Sequence, residues 1–74
     1  MQLYSYKVIV EECEEGGFYV EWPAFPGCHV EGETYEETMK EMKEAVRTFI
    51  DDYNSRNELL PSDNFLVTSV QVTV

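Results

Sequence analysis

The sequence predicts an α+β fold, a single-domain two-layer sandwich in the order β-β-β-α-β, with one helix laid on one face of a sheet. Three observations carry this. Residues 3–12 and 18–22 alternate with a period of two on either side of a short acidic turn that ends in two glycines. Apolar residues at Tyr35, Met39, Met42, Val46, Phe49 and Tyr53 recur at spacings of 4, 3, 4, 3 and 4, a single helical stripe. Val70, Val72 and Val74 then share one face with Leu66, while Ser69, Gln71 and Thr73 take the other.

In the first strand, Tyr4, Tyr6, Val8 and Val10 point one way and Ser5, Lys7 and Glu11 the other. Leu3 and Ile9 interrupt the polar side, so that side is partly covered as well. Cys-Glu-Glu-Gly-Gly at 13–17 forms the turn, its glycines free to take positive φ. Phe18, Val20 and Trp22 alternate with Tyr19 and Glu21 in a second strand, and a hairpin is the simplest connection. Pro23 ends that strand because it has no N–H to give to a ladder. Pro26-Gly27 suits a type II turn, leading into a short third strand over Cys28-His29-Val30-Glu31. Three strands with short connections pair as an antiparallel meander.

Thr34 and Glu37 form a T-x-x-E capping box at the start of a helix running from about Tyr35 to about Tyr53. Ala45 and Ile50 broaden its stripe, and Glu36, Lys40, Lys43, Glu44, Arg47 and Asp51 fill the opposite face. The pattern spans under three heptads, so a helix on a sheet is preferred over a coiled coil. Residues 54–64 read as a polar loop pinned by Leu59-Leu60-Pro61, and Phe65–Val74 as the last strand. A crossover helix between the long outer strands favours pairing them in parallel.

Seventy-four residues make one small domain, 1–74, without a separate DNA-binding domain. Such a chain buries only about 60% of its unfolded surface, so a partner or second copy is a natural complement to its core. Fifteen acidic against five basic residues give a net charge of -10. That charge repels a phosphate backbone and favours a basic partner. Hydrophobic residues at 43% argue against disorder. No apolar run approaches the ~20 residues of a membrane span, and the first residues lack the pattern of a signal peptide. Cys13 and Cys28 are therefore expected as free thiols in a reducing cytoplasm.

The chemistry-bearing residues give no catalytic constellation. Cys28 and His29 are neighbours on a strand and point to opposite faces, which places Cys28 inward with Val30 and His29 outward. One histidine and two cysteines fall short of a zinc set, and no cofactor is expected. Glu11, Glu12, Glu14 and Glu15 form a charge run whose plain reading is a solvated acidic edge. Trp22 is open to two readings, core packing with Phe18 and Val20 or a partner-facing anchor beside Pro23 and Phe25. Tyr19 shares its face with Glu21 and is the better exposed contact. Tyr4 and Tyr6 join it if their strand face is not the helix face.

Several runs carry a family resemblance. Tyr-Ser-Tyr-Lys-Val-Ile-Val-Glu-Glu is followed by Glu-Glu-Gly-Gly-Phe-Tyr-Val-Glu-Trp-Pro, by Phe-Pro-Gly-Cys-His-Val-Glu-Gly-Glu-Thr and by Glu-Glu-Thr-Met-Lys-Glu-Met-Lys-Glu-Ala. This resembles the N-terminal domain of HicB antitoxins, strongly over residues 4–53 and loosely over the last strand. The resemblance implies a truncated ribonuclease H-like fold and a role in type II toxin–antitoxin modules, where such a domain binds HicA, a small basic toxin that cleaves mRNA. Family antitoxins usually carry a further DNA-binding domain; this sequence reads to Val74 without such a segment, so operator binding is not expected of this chain.

Two roles follow. In the first, a non-catalytic antitoxin-like module covers a basic HicA-like toxin with Glu11, Glu12, Glu14, Glu15, Glu21, Glu31 and Glu33, joined by Tyr19, Trp22 and Phe25. In the second, a stand-alone homo-oligomer without a toxin pairs through the valine-rich stretch 67–74. Direct nucleic-acid binding, a membrane and a metal are not expected in either.

Overall fold

The computed structural model describes residues 3–74 and contains three strands and one helix. These are β1 (Ile9–Glu12), β2 (Phe18–Glu21), β3 (His29–Gly32) and α1 (Tyr35–Ser55). The strands form one antiparallel sheet in the order β1-β2-β3. Val10 pairs with Val20 and Val20 with Val30, so one face of the sheet carries a valine row that turns toward the helix.

Local chemistry sets each turn. Gly16 (φ 98°) and Gly17 (φ 87°) close the first hairpin, with the Cys13 N–H donating to the Gly17 carbonyl at 3.0 Å. Gly17 has no room for a side chain, because a Cβ there would lie 2.7 Å from the Gly32 carbonyl oxygen. Pro26-Gly27 is a type II turn, with Gly27 at φ 91° and the Cys28 N–H donating to the Phe25 carbonyl at 3.1 Å. The Thr34 hydroxyl accepts from the Glu37 N–H at 3.2 Å, the forward half of the capping box. At the other end Asn57 takes φ 55°, its N–H donates to the Asn54 carbonyl and the Glu58 N–H donates to the Tyr53 carbonyl. That is a Schellman motif with asparagine where glycine is usual.

The helix lies over β2 and β3 and not over β1. Val20, Trp22, Cys28, Met42 and Ile50 are buried, with Tyr6, Phe25, Val30, Val46 and Phe49 packed around them. Aromatic rings join the layers. Tyr6 meets Trp22 edge-on at 4.8 Å, and Phe25 sits 4.4 Å from Phe49 and 5.7 Å from Tyr53. The fully buried Thr38 hydroxyl donates to the Thr34 carbonyl at 2.6 Å.

Two sequence expectations change. The first strand, expected over 3–12, is a strand only over Ile9–Glu12. Residues 3–8 approach the body without joining the ladder. The last strand, expected over Phe65–Val74 and in parallel with the first, is absent, and the described order is β-β-β-α rather than β-β-β-α-β. Alternation gives 65–74 the capacity for a strand, but a strand exists only against a partner, and in a single copy none is seated beside it. The preceding loop is pinned as expected at Leu60 and Pro61, whose carbonyl accepts from the Tyr6 hydroxyl at 3.0 Å, while Leu59 is exposed. Beyond it the Lys7 ammonium donates to the carbonyls of Asp63 and Phe65, and the Lys7 N–H donates to the Asp63 carboxylate at 3.0 Å.

Candidate functional site

The face of the sheet turned away from the helix is open, and the strand register decides what it presents. Glu11 lies opposite Tyr19, and Tyr19 opposite Glu31. Ile9 lies opposite Glu21, and Glu21 opposite His29. Two cross-strand rows thus put three carboxylates around one phenol ring. Glu11, Glu21, Glu31 and His29 are exposed and Tyr19 is half-buried. Tyr19 stacks on His29 with ring centroids 5.3 Å apart, which holds the aromatic surface flat against the sheet. No Lys or Arg occurs in the three strands.

The electrostatics follow from this placement. Tyr19 has its phenol pushed above the ordinary value of 10.0, first by desolvation and then by the charges of Glu21, Glu11 and Glu31. The side chain therefore stays a neutral hydrogen-bond donor and acceptor at neutral pH. A cation placed over the ring gains from the ring face and from three surrounding anions.

The remaining acidic candidates divide by location. Glu15, Glu31 and Glu33 border a shallow cup of about 530 Å³ where the hairpin turn meets the end of β3. Glu12 and Glu14 are exposed at the same end of the sheet. The structure thus brings Glu11, Glu21, Glu31 and Tyr19 onto one surface, with Glu14, Glu15 and Glu33 at its hairpin end, while Glu12, opposite Phe18, is on the helix side of the sheet. It does not bring Trp22 or Phe25 there. Trp22 is only 1% exposed and stacks on Phe25 at 5.8 Å beneath the helix. Of its two readings core packing holds, because the even-numbered positions of β2 face α1. Its Nε1 finds no acceptor among the described residues, so packing alone holds the ring. Phe25 is half-buried against Phe49 and Tyr53.

Glu11 and Glu31 stand two strand spacings apart, about 10 Å, with Tyr19 between them. Among the described residues no three His, Cys, Asp or Glu side chains are grouped to hold a metal. Cys13 and Cys28 are unpaired. Burial pushes the Cys28 thiol above its ordinary value of 9.0, so it is no activated nucleophile. Among the described residues no helix is long and apolar enough to cross a membrane.

His29 faces outward as the strand parity expects; two features escaped the sequence reading. One is the stacking of His29 on Tyr19. On the other side of the molecule a groove of about 890 Å³ opens between residues 4–8 and α1, floored by Tyr6, Val8, Met42 and Val46. Lys40, Lys43 and Arg47 rim it, against Glu36 and Asp51. The helical spacing of those three cations was the available signal.

The described residues form a small acidic α+β domain whose sheet leaves one face open. Comparison with known sequences identifies the family. Residues 6–72 match the family described as the HicB-like antitoxin of bacterial toxin–antitoxin systems. The chain belongs to that family. It is 41% identical over 60 residues to a UPF0150 protein of Thermoplasma acidophilum, covering 81% of this chain and 87% of that one. A UPF0150 protein of Synechocystis is 29% identical over 73 residues, covering 99% and 92%. The Escherichia coli protein named Antitoxin HicB is 38% identical over 56 residues, which is 76% of this chain but 41% of that longer one.

Proposed function

We propose that this chain is the toxin-binding part of an antitoxin, and that it neutralises a small basic HicA-type ribonuclease by covering it with the open face of the sheet. The observation that carries the reading is the cluster of Glu11, Glu21 and Glu31 around Tyr19, on strands that hold no cation. A toxin that grips RNA presents lysines and arginines, and this face offers them paired carboxylates plus an aromatic anchor. The role is binding, not catalysis. A fourth strand added beside β1 would complete the truncated ribonuclease H-like architecture that the family resemblance implies.

The test is binding to the basic protein encoded next to this one, measured by titration calorimetry together with rescue of toxin-arrested growth. Wild-type chain is expected to form a complex and restore growth. Removing three exposed charge pairs by Glu11→Gln, Glu21→Gln and Glu31→Gln costs about 1.5 kcal/mol, roughly tenfold in affinity, chiefly through slower association at low salt. Tyr19→Ala costs about 2 kcal/mol. A complex that tolerates all four changes, or no complex at micromolar concentration, overturns the reading.

A further inference from the structure

We propose that two copies of this chain exchange their C-terminal segments, residues 66–74 of each lying along the free edge of β1 and in the apolar groove of the other. Four observations converge. First, the groove is apolar at its floor, and α1 leaves it open because the helix covers β2 and β3 but not β1. Second, β1 has a neighbour on one side only, and its Ile9 and Val10 stay exposed. Third, the segment is built to fill such a place and does not fill its own. Leu66, Val70, Val72 and Val74 alternate onto one face, yet Leu66 is 88% and Val70 82% exposed. The chain is drawn out to 49 × 29 × 22 Å with a radius of gyration of 14.5 Å, against roughly 11 Å for a compact domain of this length. Fourth, the groove rim carries one more cation than anion on a chain of net charge -10. That disfavours a basic occupant and sets no charge against the uncharged segment 66–74.

The contacts before the segment set where the exchange pivots. Lys7 binds Asp63 and Phe65, the ammonium 4.8 Å above the Phe65 ring, and so ties the chain to its own body up to that point. Beyond Phe65 the segment carries no charge and makes no strand pairing within one copy. Addition to β1 of a neighbour satisfies an exposed edge and buries the alternating valines in one step. Two such additions related by a two-fold axis close the assembly and leave no open end for a fibre. The proposal does not depend on the toxin-binding reading, because the groove and the acidic sheet face are different surfaces.

The experiment uses the full chain. Sedimentation velocity is expected to give a dimer for the wild type. Val70→Asp with Val72→Asp changes only residues that one copy exposes. It is expected to weaken self-association by at least about tenfold while leaving the helical circular dichroism intact. Mixed samples, one copy carbon-13-labelled and the other not, then read the mode. Nuclear Overhauser contacts from the Val70 and Val72 methyls to Met39 and Val46 of the other copy are expected. A wild-type monomer at high micromolar concentration, a dimer indifferent to the two aspartates, or methyl contacts confined to one copy each overturns the exchange.

Discussion

Gly32 is expected to be intolerant of a single methyl group, and the reason is testable because the obstacle is one side chain. Gly32 ends β3 against Thr38 of α1. A Cβ built there runs into the Thr38 hydroxyl and comes to 3.3 Å from both Thr38 Cα and Cβ. Thr38 cannot swing aside, since it is fully buried and its hydroxyl is bonded to the Thr34 carbonyl at 2.6 Å. Overpacking of this kind costs about 2 kcal/mol. The alanine returns roughly 0.7 kcal/mol by restricting the unfolded chain. The net loss is about 1.3 kcal/mol, a fall of roughly 5–10 °C in Tm for a domain this size. Thr38→Ala alone loses about 1 kcal/mol with its hydrogen bond, and it leaves no orphan because the Thr34 carbonyl still accepts from the Thr38 N–H at 3.0 Å. With the hydroxyl gone, the added methyl meets little resistance. The double variant should therefore be about as stable as Thr38→Ala, a coupling of ~1 kcal/mol where independent sites add to within about 0.5. Urea unfolding at fixed protein concentration reads this through Trp22, the one tryptophan and 1% exposed. Additive losses, or a neutral Gly32→Ala, would refute the contact as the cause.

Alkaline titration tests the open face. Tyr19 and Tyr6 hold their protons more tightly folded than unfolded, Tyr6 chiefly through burial and then through the charges of Asp63 and Tyr4. Above about pH 10 the unfolded chain therefore binds fewer protons than the native one. This stability is complete below pH 10 and is lost as pH rises through the folded values. Ultraviolet titration of tyrosinate should show late-ionising phenols, and Glu11→Gln with Glu31→Gln should bring Tyr19 earlier, whereas an unmoved curve would remove the carboxylates as a cause. Thiol labelling tests the layer beneath. At mildly alkaline pH Cys13 should react at once and Cys28, 5% exposed, only after denaturant is added; two fast thiols would contradict the burial of β3 against the helix.

What was legible in the sequence was what one short stretch decides by itself. Gly16-Gly17, Pro26-Gly27 and Thr34 each solve a local backbone problem, so hairpin, turn and helix start fall where the residues place them. The helix end lay two residues past the expected Tyr53, because Asn57 took the left-handed position that glycine would have advertised. The fourth strand was misread for a different reason. Alternation from Leu66 to Val74 states which faces a strand would have, and says nothing about which molecule supplies its neighbour. Trp22 and Phe25 were half legible. Strand parity put Trp22 with Val20, but only the position of α1 showed that this shared face is the covered one. The acidic composition was plain, while the grouping of Glu11, Glu21 and Glu31 around Tyr19 depends on register, which the two turns impose.

Charge in this chain is sorted by element, and the sorting argues for two separate interaction surfaces. The strands carry anions without a cation, and three of the five cations lie along one side of α1. Exposed pairs are individually weak, so this sorting adds little to the stability of one copy. Its effect is on encounters. Under the two proposals above, a basic protein would be drawn to the open sheet and discouraged at the groove, and a second copy would meet the reverse. On those proposals, a domain too small to bury all its apolar surface would keep its two unfinished surfaces from competing for the same partner.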